Sequence, residues 1–263
     1  MFKRYGLLMT AILCLATCAK AQSAFDGTWK FNKDTAKFPT KPDEYLLKDG
    51  MYHCKTCAPP VDVKADGQDQ NVTGHPYYET ASIKVVDDHS IEETYKKGGK
   101  VVSTSKSTVS PDGNTLNFEF SDSSASSGDP VTGKGQATRV GKAPAGAHAI
   151  SGSWRMAKMD TISDNAMSVT YKVSGDSLTM SNPTGQGYTA KLDGTDSPYH
   201  GDPGTTSVSV KKVGANSIEE TDKRDGKVIA VAQITVSADG KTLTVKWQDK
   251  LHGTNGEVSA TKM

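Results

Sequence analysis

Ser90-Ile91-Glu92-Glu93-Thr94 recurs as Ser217-Ile218-Glu219-Glu220-Thr221, a shift of 127 positions. The offset holds around it. Gly99-Lys100-Val101 matches Gly226-Lys227-Val228, and Val109-Ser110-Pro111-Asp112-Gly113 matches Val236-Ser237-Ala238-Asp239-Gly240. Asp66-Gly67, Gly74 and Pro76 match Asp193-Gly194, Gly201 and Pro203. The chain therefore reads as a tandem duplication of a unit of roughly 120 residues, and the fold is the fold of that unit.

Within the unit the hydrophobic period is two, not 3.6. Ile83 and Val85 alternate with Ser82 and Lys84, as Val208 and Val210 do with Ser207 and Ser209. Leu116, Phe118 and Phe120 alternate with Thr115, Asn117 and Glu119; Leu243, Val245 and Trp247 alternate with Thr242, Thr244 and Lys246. A strand with one buried face needs this pattern, because successive side chains point to opposite faces. Gly98-Gly99, Asp112-Gly113, Asp225-Gly226 and Asp239-Gly240 punctuate the runs as tight hairpins. No segment has the spacing of an amphipathic helix. The runs between turns predict about eight strands per unit, a meander that closes into an up-and-down barrel and so removes its edges. The fold class is all-β, two tandem antiparallel barrels.

Lys3 and Arg4 precede the apolar run Leu7–Leu15, and Ala19-Lys20-Ala21 offers small residues for cleavage. Residues 1–21 read as a secretory leader, since an apolar run of about 12 residues is too short to cross a bilayer. The rival is lipidation at Cys18 after Leu15-Ala16-Thr17, where Thr before the cysteine is unusual. Export predicts a periplasmic or extracellular protein with no membrane span. The first unit is expected over 22–140, a Gly/Ala/Pro linker over 141–149, and the second unit over 150–263. Loss of Lys3, Arg4 and Lys20 takes the formal charge from +1 to −2, which leaves no electrostatic footprint for nucleic acid. Cys14 and Cys18 leave with the leader, so Cys54 and Cys57 alone meet an oxidising compartment.

Each unit opens with Gly-x-Trp and a basic residue: Gly27-Thr28-Trp29-Lys30 and Gly152-Ser153-Trp154-Arg155. Each ends on a basic residue after threonine: Thr138-Arg139 and Thr261-Lys262. This resembles the lipocalin-like (calycin) barrels, in which a first-strand Trp lies under a basic side chain of the last strand at the closed end. The resemblance implies that Trp29 pairs with Arg139 and Trp154 with Lys262, by a cation–π contact that plugs the barrel floor. Lysine stacks less well than arginine. The stretch Gly27 to Asn32 also resembles exported bacterial proteins that begin Gly-Thr-Trp-Lys-x-Asn, which implies no activity.

Cys54-Lys55-Thr56-Cys57 is confined to the first unit; Ser181 and Thr184 stand at the equivalent positions. Ala58 in place of His argues against a c-type haem site. A thioredoxin-like site wants a βαβ context that an all-β chain does not supply. His53 and His75 would complete a Cys₂His₂ set, but the spacing is not that of a common finger. The remaining reading is a local disulfide that stiffens a loop. Glu93 and Glu220 share a strand face with Ile91 and Ile218, so each barrel holds either an interior carboxylate or one at its wet rim. Asp66-Gly67-Gln68-Asp69 and Asp193-Gly194-Thr195-Asp196 lack the ligand run of a calcium loop and read as turns. Tyr77 and Tyr78 form an aromatic loop where the second unit has Gly204 and Thr205; they either line a mouth or pack on a neighbouring strand. No nucleophile elbow, phosphate loop or zincin motif is present.

The expectation is therefore an exported protein that binds a small or apolar ligand, without catalysis or a cofactor. Tyr77, Tyr78, Glu93 and Glu220 are its candidate ligand contacts. Two alternatives stand: an envelope or structural protein whose barrels are filled by their own side chains, and a thiol or metal protein built on Cys54 and Cys57.

Overall fold

The computed structural model describes residues 23–125 and 127–263; the expected leader lies outside them. The first strand, β1, spans Gly27–Lys37. Then come β2 (Asp43–Lys48), β3 (Met51–Cys54), β4 (Val61–Lys64), β5 (Gln70–Asn71), β6 (Thr80–Asp87), β7 (Ser90–Lys97), β8 (Lys100–Val109), β9 (Thr115–Asp122) and β10 (Val131–Gly141). The second half holds β11 (Gly152–Ile162), β12 (Ser168–Ser174), β13 (Ser177–Ser181), β14 (Gly187–Lys191), β15 (Asp193–His200), β16 (Ser207–Gly214), β17 (Ser217–Arg224), β18 (Lys227–Val236), β19 (Thr242–Asp249) and β20 (Thr254–Lys262). Among the described residues no helix is long and apolar enough to cross a membrane.

The strands form two antiparallel sheets of ten, not eight, strands each. Each sheet has two strands more than the expected eight, and the shortest strands, β3, β4 and β5, are 4, 4 and 2 residues long. Runs that short show at most two periods of alternation, as in Val61-Asp62-Val63-Lys64, too few to mark a strand by pattern. One sheet is a closed barrel in the order β1-β12-β13-β14-β15-β16-β17-β18-β19-β20. The other runs β4-β3-β2-β11-β10-β9-β8-β7-β6-β5, and an isolated bridge between Asp66 and Lys84 draws its ends together.

These orders correct the contiguous division of the chain. The barrel of the second unit is completed by β1, and that of the first unit by β11. β1 pairs β20 through Trp29↔Lys262 and Phe31↔Ala260, and β12 through Trp29↔Val169. β11 pairs β10 through Trp154↔Arg139, and β2 through Trp154↔Asp43. Residues 142–151 therefore join two neighbouring strands of one sheet and are not a linker between barrels. The chain crosses between sheets at 38–42 and again at 163–167. Beyond Lys30 and Trp154 each exchanged strand pairs on one side alone. That overhang carries the chain towards the other barrel.

The tryptophan partners are exchanged accordingly. The Arg139 guanidinium lies 4.0 Å from the centroid of the Trp154 ring, and Lys262 Nζ lies 5.1 Å from that of Trp29. Each indole donates to the carbonyl four residues back, Trp154 to Ile150 at 2.8 Å and Trp29 to Phe25 at 2.9 Å. Arg139 also donates to the carbonyls of Gly113, Ser151 and Ala149 at 2.5–2.6 Å. The glycine of each Gly-x-Trp motif has a physical role. Gly27 and Gly152 sit at φ of 124° and 118°, and a Cβ there would lie 2.9 Å from Lys262 Cε and 2.5 Å from Arg139 Nη1. Only glycine leaves the basic side chain room to reach the ring.

One core surrounds Trp29 with Tyr171, Leu178, Val208, Ile218 and Leu243; the other surrounds Trp154 with Tyr52, Val61, Ile83, Ile91 and Leu116. Both indoles are fully buried. Trp154→Ala is expected to cost on the order of 3–5 kcal/mol in urea unfolding. In double-mutant cycles with alanine, Trp154 couples to Arg139 and Trp29 to Lys262, while Trp29 and Arg139 add. Coupling between Trp29 and Arg139 would overturn the strand exchange.

Candidate functional site

β7 carries Glu93 on the same face as Ile91, which is buried in the first-unit core. The carboxylate is held from three strands. Tyr95 Oη on β7 donates to Oε1 at 3.0 Å, Tyr52 Oη on β3 donates to the same oxygen at 3.2 Å, and Ser105 Oγ on β8 donates to Oε2 at 2.5 Å. Tyr45 on β2 stacks on Tyr52 with centroids 6.2 Å apart. Burial, and then the Glu93 charge, push the Tyr52 and Tyr95 phenols well above their ordinary range, so both stay protonated donors.

Beside this group lies a cavity of about 250 Å³. Tyr45, Tyr52, Leu116, Phe118, Trp154 and Met156 give it an apolar wall, and Glu93 with Asp43 gives it a polar one. At about 30 Å³ per water it holds one compact molecule. The closed-end tryptophan thus forms part of its base.

Tyr95 links the cavity to the tyrosine loop. Its ring centroid is 4.6 Å from that of Tyr78, which in turn stacks on His75 at 4.5 Å. Burial lowers the His75 pKa. Tyr77 faces the other way, towards the second barrel, where its hydroxyl bonds Asp202. The structure therefore joins Glu93 to Tyr78 through Tyr95, and leaves Tyr77 and Glu220 in separate places.

Glu220 sits at the equivalent point of the second barrel in a different environment. Tyr95, Ser105 and Tyr52 are replaced by Asp222, Ala232 and Leu178. The last match follows from the pairs Tyr45↔Cys54 and Tyr171↔Met180. Its side-chain hydrogen bond comes from Tyr188. Burial pushes Glu220 up to about 8; the Asp222 charge adds to this, and the Tyr188 bond opposes it. Burial and then Asp202 raise Asp222 to about 6, and its Oδ1 has no hydrogen-bond partner among the described residues.

Cys54 and Cys57 form a disulfide at the end of β3, with Cys54 in the core. His53 pairs with Asp62 at 2.5 Å and His75 stacks on Tyr78. Among the described residues no group of three or more His, Cys, Asp or Glu side chains could hold a metal ion, so the expected alternative set of Cys54, Cys57, His53 and His75 is not gathered. Asp69 and Asp196, the acids ending the two Asp-Gly-x-Asp stretches, are bound to Lys96 at 2.7 Å and Lys223 at 2.5 Å.

Sequence reasoning missed Tyr45, Tyr52, Ser105, Tyr188 and Asp222. Alternation along β7 and β17 does place Tyr95 and Asp222 on the inward face. The others depend on strand neighbours that pattern cannot supply. No protein-family model matches the chain, and no curated protein matches it.

The unfolded chain releases the Glu220 proton near pH 4.3, the ordinary glutamate value. The folded chain holds it to about pH 8. Between those values the folded state binds the extra proton, so stability falls as pH rises. Urea unfolding is expected to give a lower midpoint at pH 8 than at pH 5, with most of the difference gone in Glu220→Gln. An equal pH slope in that variant would refute the assignment.

Proposed function

We propose that the protein binds a small, mostly apolar molecule inside its first barrel, and that it does so without catalysis. One observation carries this reading: an interior cavity of about 250 Å³ with an aromatic and aliphatic wall and one carboxylate already held by three hydroxyls. Sites for small ligands combine an apolar lining with a few oriented polar groups. Glu93 would orient the polar end of the guest, and Trp154, Phe118 and Leu116 would cover the rest. The lipocalin-like resemblance supports the same reading, since a Trp under a basic residue closes one end of each barrel.

The second barrel serves better as a scaffold. Its sheet is closed, and Phe25, Trp29, Tyr171, Leu178, Met180 and Tyr188 pack into one core. This is the filled-barrel alternative, applied to one barrel. The leader over 1–21 and the Cys54–Cys57 disulfide support an exported protein working in an oxidising compartment.

Benzene, phenol and aniline are suitable probes. Phenol or aniline at millimolar concentration is expected to raise the thermal midpoint and shift the Trp154 indole N–H signal. Ala137→Leu, which adds volume to the lining, removes both effects. If none of the three probes moves the Trp154 signal of the unmodified protein, the reading fails.

A further inference from the structure

A larger cavity, about 610 Å³, lies where the open ends of the two barrels face each other. It is separate from the first-barrel interior, and the duplication explains how it is held open. Tyr77 and Gly204 are equivalent residues at the 127 shift, yet they touch. A Cβ on Gly204 would lie 1.9 Å from Tyr77 Oη, so the tyrosine of one copy seats in the gap left by glycine in the other. Tyr77 hydrogen-bonds Asp202, and Arg224 Nε donates to the Gly204 carbonyl at 2.7 Å. Two tyrosines or two glycines at this pair of positions would clash or leave a void. A second strut comes from the loop after β9: Ser127 N donates to the Thr184 carbonyl at 2.9 Å, and Gln186 Nε2 donates to the Ala125 carbonyl at 2.9 Å.

The two walls of the cleft differ in chemistry. The first barrel contributes the rings of Tyr78, Tyr95 and Phe120. The second-barrel side contributes Asn182, Thr184 and Gln186, with Asn165 from the crossing segment. These amides are pre-oriented. Asn182 Oδ1 accepts from Thr184 Oγ1 at 2.8 Å and Gln186 N at 3.0 Å, and Asn182 Nδ2 donates to Gln186 Oε1 at 3.1 Å. An amide nitrogen carries two hydrogens, so Asn182 and Gln186 each keep one for a guest. Asp122 takes the Ser124 amide on Oδ1 at 2.7 Å and offers its other oxygen as acceptor. Among the described residues no Lys, Arg or His lines the space.

We propose that this cleft binds a neutral saccharide. Flat aromatic faces accept the C–H side of a sugar ring, and fixed amides and a carboxylate match its hydroxyls. A lining without cations gives an anionic guest no counter-charge, and the polar wall leaves a wholly apolar guest with unpaired neighbours.

The test is saturation-transfer NMR with glucose, galactose, maltose, cellobiose and chitobiose. At least one is expected to receive saturation on its ring protons. Phe120→Ala should weaken that binding about tenfold, the loss expected when one aromatic face is removed. Gly204→Leu leaves the rings of Tyr78, Tyr95 and Phe120 and the amides of Asn182 and Gln186 unaltered but displaces Tyr77, which also lines the cleft; it should abolish saccharide binding while phenol still reaches the first barrel. That split separates failure of the cleft from failure of the barrel cavity. Absence of saturation transfer to all five sugars, or unchanged binding in Gly204→Leu of unaltered thermal midpoint, overturns the proposal.

Discussion

Each sheet is completed by a strand that belongs, in sequence order, to the other copy, and a tryptophan under a basic side chain fixes each completing strand. Trp29 lies beneath Lys262 and Trp154 beneath Arg139. The indole fills the floor, its N–H is satisfied by a carbonyl four residues back, and the glycine two residues before it admits the cation. The exchange removes an independent domain boundary. Neither sheet is complete without a strand from across the molecule, so the cavity between the barrels is held by the chain itself and not only by surface contact.

Duplication supplied two equal interiors, and substitution made them unequal. In the first, Glu93 accepts three hydroxyl hydrogen bonds beside open space. In the second, two of those hydroxyls have become Leu178 and Ala232 and one has become a second carboxylate, Asp222. A buried carboxylate short of donors and next to another acid holds its proton. The same residue, at the same place in the repeat, is thus a fixed acceptor in one barrel and a protonating group in the other. Asymmetry also joins the barrels, because Tyr77 needs Gly204 opposite it.

The duplication, the all-β class and the face that Glu93 shares with Ile91 and Glu220 with Ile218 are legible in the sequence, as are the Gly-x-Trp and terminal basic residues, whose closing role the lipocalin-like resemblance implies. These are local facts. Period two, turn dipeptides and a repeated motif are written into a few consecutive residues. Tertiary structure alone decided which tryptophan meets which cation. Gly27-Thr28-Trp29 and Gly152-Ser153-Trp154 fit either barrel, so the choice falls to the crossings at 38–42 and 163–167. It also decided that β3, β4 and β5 are strands, because segments of 2 to 4 residues are ordered by the neighbours that accept their hydrogen bonds. Tyr52 reaches Glu93 across a separation of 41 residues, and Tyr77 reaches Gly204 across 127. No periodicity encodes contacts of that range; they exist because ten strands close around one core and the open ends of two such sheets meet.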